Sequence, residues 1–177
     1  MRWSDQSQQS AMIIMGIDPG LGTSGWAVLG GEGEACTLLA SGAIRTKPSD
    51  DMAGRLLIIC NAVRDLIGTH HPDEVAIEDV FLAKDARAAF ALGQARGAAM
   101  VGAALQGLPV FSYTALQVKQ SVTGNGHASK EQVSYMVIRL LKLKEALHPA
   151  DSSDAAAIAL CHLSRRRSAV QLAGETA

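Results

Sequence analysis

A chain of 177 residues with 48% hydrophobic and 19% charged content has enough apolar material for one well-filled domain, and that balance excludes a disordered protein. No apolar run reaches the roughly 18 residues needed to cross a bilayer, and Met1 to Ala11 lacks the order of a secretory leader. Cys36, Cys60 and Cys161 are odd in number and have no metal spacing, which excludes a disulfide framework and a zinc site; each reads as a small buried hydrophobe in a cytoplasmic protein. The net charge of −1 speaks against a polyanionic partner unless cations bind; two divalent ions would turn it into +3. The bases are also clustered, with Lys119, Lys130, Arg139, Lys142 and Lys144 in one stretch.

In chain order, residues 1–11 form a polar, flexible extension ahead of the folded unit. MIIMGID at 12–18 is a short apolar run closed by Pro19-Gly20, which predicts a buried strand ending in a turn. Segments 23–29 and 35–44, split by the glycine-rich turn at 30–33, continue as strands of an antiparallel meander. A helix follows, capped by Asp50 or Asp51, with apolar residues at Leu56, Ile59, Val63, Leu66 and Ile67. VAIE at 75–78 is a fourth strand, and residues 84–105, packed with Ala and Gly, form a long helix suited to close packing or self-association. PVFSY at 109–113 is the fifth strand, 114–121 a short helix carrying Lys119, and 129–143 a helix that Ser129 can cap. The last helix spans 151–163, and residues 165–177 read as a flexible tail that includes Arg165, Arg166 and Arg167. This order fits an α/β fold in which one five-stranded mixed sheet is flanked by helices, in a domain spanning 12–164.

Two acids close strands: Asp18 the first and Glu78 the fourth. In a sheet with parallel strands, that edge is where ligands and metals gather. Asp151 and Asp154 are three apart at a helix start and can face the same way. Each acid also has a plainer use: Asp18 as a turn residue, Glu78 as a solvated end, and Asp151 with Asp154 as cap and first-turn acid. Brought together, they need counter-ions. Two carboxylates ~4 Å apart repel by about 4 kcal/mol at an effective dielectric of 20. Six such pairs rival the whole stability of a domain, roughly 5–15 kcal/mol. An all-oxygen set without Cys or a His pair selects Mg²⁺ or Mn²⁺. Two ions roughly 3.5–4 Å apart suit in-line phosphoryl transfer, one activating water and the other steadying the leaving 3′ oxygen.

GIDPGLGTSGWAV from Gly16, AIEDVFLAKDARAAFALGQARG from Ala76, VFSYTALQVKQSVTGNGHASKEQV from Val110 and HPADSSDAAAIALCH from His148 resemble, in order and spacing, the signature blocks of the RuvC family of Holliday junction endonucleases. The resemblance covers about Met12 to Leu163. It implies an RNase H-like fold and a homodimer formed through the helix at 84–105. It further implies metal-dependent, symmetric nicking of two opposing strands of a four-way DNA junction in recombination and repair. The catalytic and metal-binding acids then fall on Asp18, Glu78, Asp151 and Asp154, with two ions, Mg²⁺ or Mn²⁺, in each site. DNA contacts fall on Lys119, Lys130 and Phe81, and branch-migration motors of the same pathway are implied as partners.

Read without the family, Phe81 follows a strand in a loop shared with Lys84 and Arg87, all three being DNA-contact candidates. An aromatic there can stack on an unpaired base, worth ~1–3 kcal/mol, or plug the core beneath the loop. Lys130 at a helix start opposes the dipole, which favours a phosphate-facing role. Asp79 is a fifth acid that reads as solvent-facing. The histidines receive no metal role, and Trp26 reads as core. Competing readings are an RNA-directed nuclease of the same fold, a phosphate-loop ATPase module and a non-catalytic junction binder. Against these stand, in turn, the long small-residue helix, the single-domain length, and a complete acid set.

Overall fold

The computed structural model describes residues 11–32, 35–79 and 85–174. Its strands are β1 (Met12–Asp18), β2 (Thr23–Glu32), β3 (Ala35–Arg45), β4 (Glu74–Glu78) and β5 (Val110–Tyr113). Its helices are α1 (Met52–His70), α2 (Ala86–Ala104), α3 (Ala115–Thr123), α4 (Lys130–Leu140) and α5 (Ala150–Gly174). The sheet runs in the order β3-β2-β1-β4-β5. The meander pairs antiparallel, while β1–β4 and β4–β5 pair parallel, as expected of strands reached by helical crossovers. The expected mixed five-stranded sheet flanked by helices is therefore present.

Alternation along β1 and β4 assigns each residue to a face. Met15, Ile17, Val75 and Ile77 point to the layer made by α1 and α2. Ile14 and Ala76 point to the layer made by α3, α4 and α5. On α2, Ala95, Ala99, Gly102 and Ala103 are buried, and a Cβ at Gly102 would press on the Cys60 carbonyl of α1. Small residues thus do here what the sequence suggested: they let two backbones approach.

Side chains that can leave the backbone ladder close the helix ends. Asp51, one of the two residues expected to do so, caps α1 by accepting from the Gly54 N–H at 2.7 Å. Ser129 caps α4 in a reciprocal box with Gln132, and Thr114 does the same for α3 with Gln117. Among the described residues, no helix is long and apolar enough to cross a membrane.

One boundary differs from the sequence reading. The last helix was expected to end near Leu163, but α5 continues to Gly174, so the segment set aside as a tail from residue 165 is helical over most of its length. The reason is tertiary. Arg166 pairs with Glu74 at 2.9 Å, Arg167 donates to the Ala35 carbonyl at 2.8 Å, and Arg165 lies over the Tyr113 ring. Of the extension at 1–11, only Ala11 lies within the described residues.

Candidate active site

Asp18 and Glu78 are adjacent because of strand register. Ile17 pairs with Ile77 across β1 and β4, so the next residue on each parallel strand is an acid. Neighbouring strands lie roughly 4.8 Å apart, within reach of a shared hydrogen bond or ion. By alternation both carboxylates face α5.

Alpha-helix α5 delivers the other two acids, and glycine makes the approach possible. Gly25 is the register partner of Asp18 on β2. A Cβ on Gly25 would run into the Asp151 backbone, and one on Gly16 into the Ala155 carbonyl. The helix answers with Ala155, Ala156 and Ala159, all buried. Its first turn therefore lies almost on the sheet at the end of β1. Asp151 stands within that turn, one residue inside the helix rather than at the cap position expected for it.

Asp18, Glu78, Asp154 and Lys130 act on one another electrostatically. The Asp18 pKa is pushed up to about 8, first by burial, then by the charges of Glu78 and Asp154 and by a hydrogen bond to Glu78, with Lys130 opposing. The Glu78 pKa is also raised, chiefly by burial; the Asp18 hydrogen bond, Lys130 and Lys119 work against the rise while Asp154 adds to it. Burial and mutual repulsion thus favour one proton retained by the Asp18–Glu78 pair at neutral pH, held in a hydrogen bond between the two carboxyls. The Lys130 Nζ bonds Asp154 at 2.8 Å, which raises the lysine pKa; Asp18 and Asp151 contribute charge. The ion pair offsets the dipole cost of a cation at the start of α4.

The donor chemistry fits a hard divalent ion. It is all carboxylate, and it holds more negative charge than it tolerates without a proton and a lysine. It is not a finished coordination shell: among the described residues, no three His, Cys, Asp or Glu side chains are gathered closely enough to hold an ion as they stand. The Asp18–Glu78 hydrogen bond and the Lys130 ammonium offset part of that charge.

The remaining candidates fall as follows. Lys119 on α3 is half-buried and near enough to influence Glu78. Arg87 is exposed in the first turn of α2, next to the cap Asp85, and no described contact ties it to the acids. Phe81 and Lys84 lie outside the described residues. Asp79, expected to face solvent, is exposed but pairs with Arg96 at 3.3 Å. Sequence reasoning missed Arg96. Its Nε donates to the Glu78 carbonyl at 3.1 Å, and it also reaches Ser112 at 2.6 Å, bracing the end of β4. An arginine in the middle of an Ala/Gly-rich helix was the available signal. Trp26 is half-buried, Cys161 fully buried, and Cys36 and Cys60 only partly so.

A mixed sheet with acids at the ends of its first and fourth strands and on a helix laid across them defines a nuclease of RNase H-like fold. The family described as crossover junction endodeoxyribonuclease RuvC matches residues 14–162. A relative of that description from Shewanella sp. is 46% identical over 162 residues, covering 92% of each chain. The solved structure of Thermus thermophilus RuvC in complex with a Holliday junction substrate superposes with a TM-score of 0.85 at 37% identity, covering 89% of this chain and 96% of that one. A yeast mitochondrial Holliday junction resolvase at 12% identity and TM-score 0.66 shares the fold, covering 90% of this chain and 81% of the other. The chain belongs to the RuvC family.

Proposed function

We propose that this protein is a structure-selective endodeoxyribonuclease that resolves Holliday junctions by nicking two opposing strands, with Asp18, Glu78, Asp151 and Asp154 holding two Mg²⁺ or Mn²⁺ ions per site. What supports the reading is that Asp18 and Glu78 close neighbouring parallel strands and share a hydrogen bond, with Asp154 of α5 and its partner Lys130 close enough to influence both. A divalent cation bound there supplies positive charge for the phosphate and lowers the pKa of an attacking water.

The protein's own groups prepare the rest. Glu78 and Asp18 present oxygens from two rigid strand ends. The α5 turn presents two more from a helix fixed against those strands. Lys130 neutralises Asp154, and its largely exposed ammonium would meet a DNA phosphate beside a cation held by the acids. Lys119 adds positive charge beside Glu78. Phe81, Lys84 and Arg87 extend the DNA contact along the segment that leads into α2.

Dimerisation through the region 84–105 is supported by the outer face of α2. Phe90 and Val101 are exposed there at 70% and 52%, on the side opposite the α1 contact. Gln94 Oε1 near that stripe is buried without a partner among the described residues. A homodimer would present two sites to opposing strands. The location is the bacterial cytoplasm, and the branch-migration motors of the same pathway are the expected partners.

The test is cleavage of a synthetic four-way junction by purified protein with Mg²⁺ or Mn²⁺. Parent protein is expected to nick it, while Asp18→Asn binds the junction without cutting. Equal cutting by both would overturn the reading.

A further inference from the structure

Eight residues beyond Asp154, α5 buries a second polar group that the proposed chemistry does not use. His162 is fully buried. Its Nδ1 lies 2.6 Å from the Tyr113 hydroxyl, and its Nε2 lies 2.6 Å from a Glu74 carboxylate oxygen. The other Glu74 oxygen takes Arg166 at 2.9 Å, and the Phe111 ring covers the imidazole at 4.6 Å.

The protons follow from the partners. Burial holds the His162 pKa below its usual value, with Glu74 opposing, so the ring is neutral and carries one N–H. A carboxylate can only accept, so Nε2–H donates to Glu74 and Nδ1 accepts from the Tyr113 hydroxyl. Every polar atom of the trio is then satisfied, which a buried network requires if it is not to cost stability.

Location gives the network its consequence. Asp151, Ala155, Ile158 and His162 recur at helical spacing on one stripe of α5, and Asp151 and His162 are roughly 16 Å apart along the axis. Between them the helix meets the sheet through Ala155 and Ala159 on Gly16, with Ile158 as the large side chain of the stripe, and His162 adds the directional polar constraint on how far the helix slides or turns. His162 grips β4, which ends at Glu78, and its neighbour β5. Glu74 opens β4, which Glu78 closes, and Tyr113 is the register partner of Glu78 on β5. A buried polar group with directional partners can specify register where apolar packing leaves it loose.

We propose that Tyr113, His162 and Glu74 form a positioning clamp that fixes α5 on the sheet, and so sets where Asp151 and Asp154 stand relative to Asp18 and Glu78. His162 is a positioning residue in this scheme, and the proposal rests on the nuclease reading above.

The test compares the parent with His162→Phe, His162→Gln and Tyr113→Phe. Mn²⁺ binding to the DNA-free protein is read by electron paramagnetic resonance, and junction affinity, single-turnover cleavage and melting temperature are measured alongside. Supporting groups around metal ligands commonly contribute 10–100-fold, so His162→Phe is expected to weaken Mn²⁺ binding and slow cleavage by about tenfold, with junction affinity within about twofold. Tyr113→Phe, which loses one hydroxyl and no ring volume, is expected to shift both in the same direction by about threefold, at the low end of such effects. His162→Gln keeps a donor for Glu74 and is expected to recover most of the loss. A lowered melting temperature with parental Mn²⁺ affinity and parental cleavage in folded His162→Phe overturns the clamp. Should His162→Phe not fold, parental values in Tyr113→Phe overturn it equally. Failure of the parent to cut, or cutting by Asp18→Asn, would sink the nuclease reading instead, while the Mn²⁺ comparison would still judge the clamp.

Discussion

Asp18 is where the charge problem is most acute. Folded, it holds its proton up to about pH 8, against 3.8 for the free group. The folded state thus binds a proton that the unfolded chain has released, and stability of the metal-free protein falls as pH climbs from about 4 towards 8. Asp18→Asn removes that repulsion. At pH 8 without metal, this variant is expected to melt higher than the parent by about 2–4 °C for each 1 kcal/mol relieved. It exchanges function for stability, as active-site substitutions commonly do. Loading the parent with Mg²⁺ at pH 7 must displace the Asp18 proton. Titration calorimetry in buffers of different ionisation enthalpy should therefore report net proton release, whereas proton uptake would contradict the assignment.

At the scale of elements, the site depends on how closely α5 lies against β1 and β2. Gly25→Ala is the direct probe, because its new methyl meets the Asp151 backbone rather than a yielding side chain. Overpacking of this kind costs about 1–3 kcal/mol. The shift falls on the turn that carries Asp151 and Asp154, so Mn²⁺ affinity should drop along with the denaturation midpoint. Retained affinity at reduced stability would mean that the helix re-seats without moving its acids. Elements are also where the sequence was most readable. Short apolar runs closed by turn residues located all five strands, and Ser129 and Asp51 cap the helices they were expected to cap. The end of α5 was not readable, because Arg165, Arg166 and Arg167 look like a solvated run until Glu74, Ala35 and Tyr113 are brought beneath them. Nor was the Glu74–His162 bond, which joins residues 88 apart. Local periodicity carries no information at that separation.

For the whole molecule, the two faces of the sheet are put to different uses. The α3–α4–α5 layer carries the acids and Lys119 and Lys130, while the α1–α2 layer leaves apolar side chains on its outer surface. Val101→Glu places a charge on the exposed stripe of α2 without touching its buried stripe. Analytical ultracentrifugation is expected to show a shift from dimer to monomer, with the fold intact by circular dichroism. An unchanged sedimentation coefficient would overturn the proposed dimerisation through α2. The same surface explains why a net charge of −1 is compatible with DNA binding: the basic groups and the proposed cations are concentrated on the opposite layer.

The amino-acid sequence by itself determined the strands and the acids at the ends of the first and fourth, because apolar runs and turn chemistry act over a few residues. Four ordered motif blocks also carried the family. Only the tertiary structure decided that Asp18 keeps a proton beside Glu78, that Lys130 sits on Asp154, and that His162 links β4 to β5 through α5. Burial and charge proximity arise between segments distant along the chain, and they exist only once glycine and alanine have let a helix settle on the sheet.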